Sequence, residues 1–320
     1  MAFDVTGLVD FTNENQFDLM RATVLGAKMM DLTTVVPNIK GPSKLPQISS
    51  SVFFQTDGCS FNASGDTTFT QRTLTPGKVR VNSEWCDKDL EPKYLATQLT
   101  PGAMKDKVEP DEVWRMILDE YTSKIARDID VAIWRGDTAG GPSNNQFWDG
   151  YIKLLTSGTI DANTGGTPLS TLYTQAAARE AMERLYLSAA TNGLADFADG
   201  IAYVGYDLYA LLYSAMINGG STNGMALNQA PSGNADPDDS GAGLIYPGMN
   251  MRIVPVNGLT GQEKTYFARK SNMFIGVDAE GDFENFETWY SQDDRKVKLA
   301  VEFKLGCQVA FPGEVVSIII

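Results

Sequence analysis

Residues 270–282 read KSNMFIGVDAEGD, an apolar run that gives way to acidic residues at every second position. Asp278, Glu280 and Asp282 have a spacing that can bring carboxylate oxygens together on a hard cation. A twelve-residue calcium loop needs a bidentate glutamate at its end, and Thr288 or Trp289 stands near that position instead. The sequence therefore favours a solvated turn, in which Gly281 adopts the unusual dihedral angles and the carboxylates prevent unwanted strand pairing.

The chain that follows this turn alternates apolar and polar residues over positions 296–311. One set of alternate positions is apolar: Val297, Leu299, Val301, Phe303, Leu305, Cys307, Val309 and Phe311. The other set includes the charged residues Lys296, Lys298, Glu302 and Lys304. A period of two over this length predicts a long β-strand with one buried face.

The strongest helical pattern lies at residues 110–135, PDEVWRMILDEYTSKIARDIDVAIWR. Pro110 suits the first helical position, and Gly136 is predicted to cap the end in the left-handed conformation. Apolar residues form one stripe: Val113, Trp114, Ile117, Leu118, Tyr121, Ile125, Ile129 and Ile133. The sequence predicts a helical rod of roughly 39 Å with one apolar face.

Residues 46–100 are rich in serine, threonine and glycine, with turn signals at TDG, SGD and TPGK. Aromatic and valine residues are scattered between these turns. The pattern predicts a long β-hairpin or a pair of hairpins. Two interpretations stay open: the hairpin packs on its own domain, or it lies on a neighbouring subunit, because an isolated two-stranded ribbon is marginal in water.

The middle of the chain alternates helices with short strands. A helix is predicted from Ser170, as N-cap, to the TNG stop at 191–193. The β-segment GIAYVGY, the helix DLYALLYSAMING, a glycine- and asparagine-rich loop at 219–243 and the strand MRIVPV follow. This alternation indicates an α+β fold.

The composition excludes much of common enzymology, because the 320 residues contain no histidine. Nucleophiles activated by histidine and histidine-ligated metal sites are therefore absent. Paired-carboxylate hydrolysis and magnesium chemistry survive this exclusion, but no facing carboxylate pair can be placed, and GDTAGGPS lacks the lysine of a phosphate loop. We expect no enzyme activity, no catalytic or metal-binding residue and no cofactor.

Charge and cysteine content set further bounds. The net charge of −14, from 40 acidic and 26 basic residues, argues against binding nucleic acid by neutralising its phosphates. Cys59, Cys86 and Cys307 form no C-x-x-C pair, so we expect buried free thiols. No apolar run reaches eighteen residues and no signal-peptide pattern opens the chain, so we expect a soluble protein without a membrane span.

The order of these segments resembles that of tailed-bacteriophage major capsid proteins with the HK97-like fold. IAYVGYDLYALLYSA, a glycine-rich loop, YPGMNMRIVPVNGL and the run from MFIGVDAEGD to PGEVV follow the succession of that family's C-terminal half. The resemblance implies an N-terminal arm (1–45), an extended β-hairpin loop with flanking strands (46–105), a peripheral domain with a long spine helix (106–195), an axial domain (196–294) and a return strand of the peripheral domain (295–320).

The resemblance also implies a function. The chain would assemble with copies of itself into hexamers and pentamers of an icosahedral shell, enclosing double-stranded DNA without sequence-specific contacts. Scaffolding, portal and decoration proteins would be its other partners, and its place would be the virion capsid, assembled in the host bacterial cytoplasm. The arm and extended loop would clasp neighbouring subunits through apolar residues that lack a core of their own: Phe53, Phe54, Phe61, Phe69 and Trp85.

Two alternatives stay open. An encapsulin-type nanocompartment shell protein resembles the same fold but encloses enzymes. A carboxylate- or metal-dependent hydrolase would instead be a small particle with a cleft.

Overall fold

The computed structural model describes residues 27–54, 56, 65–86, 111–141, 143–163, 174–194, 199–218, 228–229, 244–246, 251–278, 286–294 and 296–319. The helices within these residues are α1 (Lys28–Leu32), α2 (Asp111–Arg135), α3 (Tyr151–Leu154), α4 (Gln175–Thr191) and α5 (Tyr206–Asn218). The strands are β1 (Thr34–Val36), β2 (Ser43–Ser50), β3 (Thr67–Leu74), β4 (Gly77–Cys86), β5 (Ile160–Asp161), β6 (Gly200–Val204), β7 (Asn228–Gln229), β8 (Leu244–Tyr246), β9 (Met251–Pro255), β10 (Lys264–Arg269), β11 (Met273–Val277), β12 (Phe286–Ser291), β13 (Lys296–Val309) and β14 (Val316–Ile319). None of the described helices is long and apolar enough to cross a membrane.

The first sheet is built around β13, which is 14 residues long. β11 and β12 pair with successive parts of β13, β4 pairs with its residues 296–305 from the opposite side, and β1 extends the sheet beyond β11. Buried and half-buried side chains alternate along β13, and Val297, Val301 and Leu305 are fully buried. The predicted long strand is thus confirmed, although Phe311 lies beyond its end and is only half-buried.

α2 confirms the predicted spine helix and is about 37 Å long at 1.5 Å per residue. Its buried side chains, including Leu118, Ile125, Ile129 and Ile133, share one apolar cluster with the first sheet. The predicted left-handed cap at Gly136 is wrong, because the residue does not have a positive φ. Glycine is needed there for close packing, since a Cβ would lie 2.4 Å from the carbonyl oxygen of Trp148.

The second sheet has the strand order β5-β14-β10-β6-β9-β8-β7. α4 and α5 share an apolar cluster with strands of this sheet. The predicted N-cap at Ser170 is wrong: α4 begins at Gln175, and the hydroxyl of Thr174 accepts a hydrogen bond from the backbone N–H of Ala177 at 3.2 Å. Both residue types can cap a helix, so the sequence alone did not distinguish them.

Trp134, near the end of α2, joins the two sheets. Its fully buried ring contacts Tyr151, Tyr203 and Tyr266 at centroid separations of 5.4, 5.3 and 5.6 Å. Its indole N–H also points at the sulfur of Met29, 3.2 Å away. Because Tyr203 and Tyr266 lie on β6 and β10 while α2 packs on the first sheet, this cluster ties the sheets together.

The chain crosses between the sheets from β10 to β11 and again from β13 to β14. Asn272 binds these two crossings to each other and is only 3% exposed. Its Nδ2 donates to the carbonyl oxygen of Phe311 at 2.7 Å, and its Oδ1 accepts from the backbone N–H of Phe311 at 2.6 Å. The side-chain amide therefore donates to and accepts from the backbone of Phe311, as a paired residue of an antiparallel strand would.

Sheet membership cuts across the predicted domain bounds. β11 and β12 fall within the predicted axial segment 196–294 but lie in the first sheet with β13. β14 falls within the predicted return strand 295–320 but lies in the second sheet. A hairpin is present as β2 and β3, whereas β4 pairs with β13 and belongs to the first sheet.

Candidate subunit-binding surface

β2 and β3 form a separate two-stranded antiparallel sheet, called the ribbon from here on. Its register begins with Ser43 opposite Leu74, and beyond the strands the backbone N–H of Ser51 donates to the carbonyl oxygen of Asp66 at 2.8 Å. Among the described residues, no third strand pairs with the ribbon. A two-stranded ribbon is marginal in water, and unpaired strand edges favour association with another chain.

The two faces of the ribbon differ in exposure. Cross-strand partners lie on the same face, because side chains alternate along each strand. The outer face, exposed throughout, consists of Lys44, Pro46, Ile48, Ser50, Thr67, Phe69, Gln71 and Thr73. The inner face consists of Ser43, Leu45, Gln47, Ser49, Thr68, Thr70, Arg72 and Leu74, and is partly or fully buried towards its base.

The large apolar side chains of the outer face are Ile48 and Phe69, which are direct cross-strand partners. They are 60% and 75% exposed. A hairpin packed on its own domain turns its apolar face inwards, because one face of each strand is then buried. Apart from Leu45 and Leu74 near its base, the ribbon has the reverse arrangement, because Ile48 and Phe69 lie on the face opposite the one that contacts the first sheet.

The chain that leaves β2 adds three further exposed apolar side chains. Val52, Phe53 and Phe54 are 75%, 66% and 101% exposed. Scattered exposed apolar residues are ordinary, but several together on one projecting element are typical of a binding surface.

Leu74 anchors the base of the ribbon and is fully buried. It lies over Gly276 of β11, whose cross-strand partner in β13, Gly306, faces Thr75 and Pro76. A Cβ on Gly276 would lie 2.6 Å from side-chain carbons of Leu74 and Ile39, and a Cβ on Gly306 would lie 2.6 Å from the carbonyl oxygen of Thr75. The two glycines, called the glycine recess from here on, thus leave room for the chain between β3 and β4.

Two hydrogen bonds to β13 fix the orientation of the ribbon at its base. Nη1 of Arg72 donates to the carbonyl oxygen of Val309 at 2.9 Å, and Nε2 of Gln308 donates to that of Thr73 at 2.7 Å. Arg72 and Leu74 share the inner face. The inner face is therefore turned towards the first sheet at the base, and the outer face is turned away from it.

The structure places the predicted interface residues in different surroundings. Phe53, Phe54 and Phe69 are exposed on the ribbon or beside it, and Phe61 lies outside the described residues. The premise that Trp85 lacks a core of its own is wrong. It packs against the main apolar cluster, with its ring edge-to-face to Tyr121 at a centroid separation of 5.0 Å.

Sequence reasoning missed Ile48, because its importance comes from its position opposite Phe69. Composition alone could not show this pairing. The register across the ribbon depends on the conformation of the long connection between the strands, which the turn signals do not determine.

The acidic turn also differs from its prediction. Asp278 is only 4% exposed, and its Oδ2 accepts from Nζ of Lys304 at 2.5 Å. A solvated turn is thus the wrong description of Asp278, because the lysine on β13 supplies a counter-charge at the end of β11. Glu280 and Asp282 lie outside the described residues, and no three acidic or cysteine residues converge elsewhere in the described part of the chain.

Buried titratable groups belong to the packing of the core. Burial raises the pKa of the Cys307 thiol and that of the Tyr203 phenol, so both stay uncharged at neutral pH. The Tyr203 hydroxyl donates to the carbonyl oxygen of Leu32 at 2.8 Å. Of the other predicted free thiols, Cys59 and the side chain of Cys86 are not among the described parts of the structure.

Comparison with known proteins gives a consistent fold. No protein-family model and no curated protein matches the chain. Solved structures do: a chain of the satellite phage P4 procapsid with its size-determination protein has a TM-score of 0.56 at 12% identity, covering 97% of this chain and 90% of that one. A chain from Gordonia phage Cozz has a TM-score of 0.56 at 14% identity, covering 92% and 86%.

A chain from the capsid of Myoviridae phage XM1 also matches, with a TM-score of 0.54 at 11% identity and coverage of 92% and 91%. The likeness extends over nearly the whole of each chain. The α+β, HK97-like capsid fold predicted from the sequence is therefore confirmed.

Proposed function

We propose that this chain is the major capsid protein of a tailed double-stranded DNA bacteriophage, and that copies of it form the hexamers and pentamers of an icosahedral shell. The observation that supports this most strongly is the fold, which is shared over nearly full length with chains from solved capsids. The ribbon adds independent support, because its apolar side chains Ile48 and Phe69 are exposed and no other described part of the chain covers them.

The two sheets have distinct roles in this proposal. The first sheet and α2 form the peripheral domain, at the boundary between rings of subunits. The second sheet, with α4 and α5, forms the axial domain near the ring centre, so α4 is reassigned from the predicted peripheral segment 106–195 because it packs with that sheet. The ribbon extends from this body to neighbouring copies. Of the predicted arm (1–45), α1 and β1 are instead part of the body, because they pack with the first sheet. Because each contact is repeated many times in a closed shell, each can be modest.

The ribbon and the residues next to it form the clasp between copies. Phe53, Phe54 and Phe69 supply exposed apolar contacts, and Phe61 is proposed with them on the basis of the sequence. Trp85 is better explained by its packing within the chain. Burial of these side chains on a neighbour would remove apolar surface from water, which favours association.

The protein is proposed to be structural and to have no enzymatic role. With a net charge of −14 it would enclose double-stranded DNA without holding it through phosphate contacts. Scaffolding, portal and decoration proteins are its proposed partners. Its proposed location is the virion capsid, assembled in the cytoplasm of the bacterial host.

Replacing the connection between the two ribbon strands tests this function, because it removes Phe53, Phe54 and Phe61 but leaves Phe69 in place. Replacing residues 51–66 with Asn-Gly joins Ser50 to Thr67, which are register partners, through a two-residue turn that suits a hairpin. The shortened chain should keep its circular dichroism spectrum and thermal midpoint but lose shell assembly, as seen by sedimentation and electron microscopy. Shells at the parent's yield would contradict a role of Phe53, Phe54 and Phe61 in the clasp. A parent that never assembles would contradict the capsid function itself.

The contents of the particles test the remaining alternative. Nuclease-protected double-stranded DNA is expected in particles produced with the neighbouring phage gene products. Particles that contain a protein cargo and no DNA would instead indicate an encapsulin-type nanocompartment.

A further inference from the structure

Polar side chains of the ribbon's inner face already make hydrogen bonds within this chain, and one of them is the bond from Arg72 to Val309 on β13. The hydroxyl of Thr70 donates to Oε1 of Gln47 at 2.9 Å, and that of Thr68 donates to the carbonyl oxygen of Ser49 at 3.3 Å. These groups need no further partner. An apolar surface of another protein that covered this face would bury these polar groups, which carries a desolvation penalty.

The outer face has the opposite character. Ile48 and Phe69 form its centre, and the exposed ring of Pro46 lies two residues before Ile48 on the same face. Cross-strand pairs of this kind stabilise a sheet only modestly. Such a pair gains much more when a second surface removes it from water.

The orientation of the ribbon makes the outer face available to other molecules. Leu74 in the glycine recess and the bond from Arg72 to Val309 hold the inner face towards the first sheet. These contacts at the base fix which face of the ribbon is turned towards the first sheet. The apolar face is consequently presented outwards before any partner arrives.

The charge of the ribbon indicates what kind of surface it fits. Its two strands contain Lys44 and Arg72 and no acidic residue, whereas the chain as a whole has a net charge of −14. A second copy of this chain therefore offers an acid-rich surface to a basic ribbon, and Lys44 stands on the outer face. Complementary charge favours encounter and suppresses wrong orientations.

We infer that the ribbon binds a second copy of this chain through its outer face alone, with Ile48 and Phe69 at the centre of the contact, while its inner face stays in solvent or towards its own sheet. This inference rests on the proposed function, because it presumes that copies assemble. It adds which face makes the contact and which residues lie at its centre.

Matched substitutions on the two faces test the inference. Phe69→Glu and Thr68→Glu place the same charge at adjacent, exposed positions of β3, on the outer and inner face respectively. Ile48→Glu and Ser49→Glu repeat the comparison on β2. The outer-face variants should lower the assembled fraction by about tenfold or more, because they would bury an unpaired charge. The inner-face variants should stay within about twofold of the parent.

Photo-crosslinking identifies the partner and does not depend on charge. A benzoylphenylalanine at position 69 keeps an aromatic side chain on the outer face, and one at position 68 serves as the control. In shells assembled from the purified chain, position 69 should yield a product of twice the chain's mass at least about fivefold more than position 68. Mass spectrometry of the crosslinked peptides then identifies the receiving surface.

Several results would overturn the inference. Equal loss of assembly for both faces, or for neither, would contradict a one-sided contact. A crosslink from position 69 to a different co-purified protein would contradict the second copy as the partner. These outcomes are read in a preparation whose parent protein forms shells, so they are distinct from failure of the capsid function, in which the parent forms none.

Discussion

Adding one methyl group to either glycine of the recess should have very different effects, because the two positions face different atoms. In Gly306→Ala the new Cβ would lie 2.6 Å from the carbonyl oxygen of Thr75 and 2.9 Å from Cα of Pro76. This is backbone, so the whole connection between β3 and β4 must move. In Gly276→Ala the obstructing atoms are the ends of the Leu74 and Ile39 side chains, which can rotate.

The magnitudes follow from the contacts at risk. Alanine in a strand is intrinsically more favourable than glycine by roughly 0.5–1 kcal/mol, whereas overpacking costs about 1–3 kcal/mol. Gly276→Ala should therefore change the free energy of unfolding by about 1 kcal/mol or less. Moving the backbone in Gly306→Ala also endangers the hydrogen bonds from Arg72 and Gln308, each worth about 1 kcal/mol. The total loss should be about 3 kcal/mol.

Urea unfolding of the unassembled chain measures the free-energy difference, and hydrogen exchange of the ribbon amides shows whether its base has come loose. Shell yield should fall for Gly306→Ala and stay near the parent value for Gly276→Ala. Equal stability of the two variants, with equal protection of the ribbon, would refute the role of the recess in orienting the ribbon.

Four further outcomes are expected. Trp134→Ala should lower the free energy of unfolding by about 3–5 kcal/mol, because a fully buried ring is removed between the sheets, and Trp134→Phe by less; equal effects in urea unfolding would contradict this role. Asn272→Asp should destabilise the chain at neutral pH by about 2 kcal/mol or more, with partial recovery in acid as the buried carboxyl regains its proton and can donate to Phe311. Urea midpoints that do not depend on pH would argue against the role of Asn272 in joining the two crossings. Although desolvation opposes it, hydrogen bonds from Ser271 and the ion pair with Arg269 lower the pKa of Asp199. The stability that Asp199 contributes is therefore present at neutral pH and is lost as the pH falls through its folded-state pKa. Asp199→Asn should lack this part of the acid-induced loss of stability, and a pH profile identical to the parent's would contradict the assignment. Asp278→Asn should lower the thermal midpoint, because it removes the carboxylate that pairs with Lys304. EDTA should leave the thermal midpoint of the parent unchanged. A large EDTA-dependent fall of the midpoint in the parent alone would indicate a bound metal.

The sequence was most informative where the signal is local. The alternation along β13 and the apolar stripe of α2 each arise because one element packs on one surface. Their periods can therefore be recognised in the sequence without knowing which element packs against them. The order of elements then carried the resemblance to capsid proteins, and the solved structures confirm the fold.

Apart from the misplaced N-cap at Ser170, the errors concern contacts between distant parts of the chain. The sequence showed no packing partner for Trp85, because Tyr121, which it contacts, lies on another element. Asp278 looked solvated because Lys304 approaches it only once β11 and β13 pair. In each case the missing information was register or packing, which neither composition nor spacing contains.

The candidate surface was foreseen in part. Phe53, Phe54 and Phe69 stood out as apolar residues in a polar segment, and the structure leaves all three exposed. The division of the ribbon into two faces, with Ile48 opposite Phe69, required the strand register. The glycine recess that fixes its orientation required the positions of both the ribbon base and the first sheet.

Electron microscopy of the purified chain, at increasing protein concentration and with its neighbouring gene products, tests the central claim most directly. The proposed function predicts closed icosahedral shells or ring-shaped capsomers, in which the ribbon of each subunit lies against a neighbouring copy. A uniform small particle under every condition would contradict it.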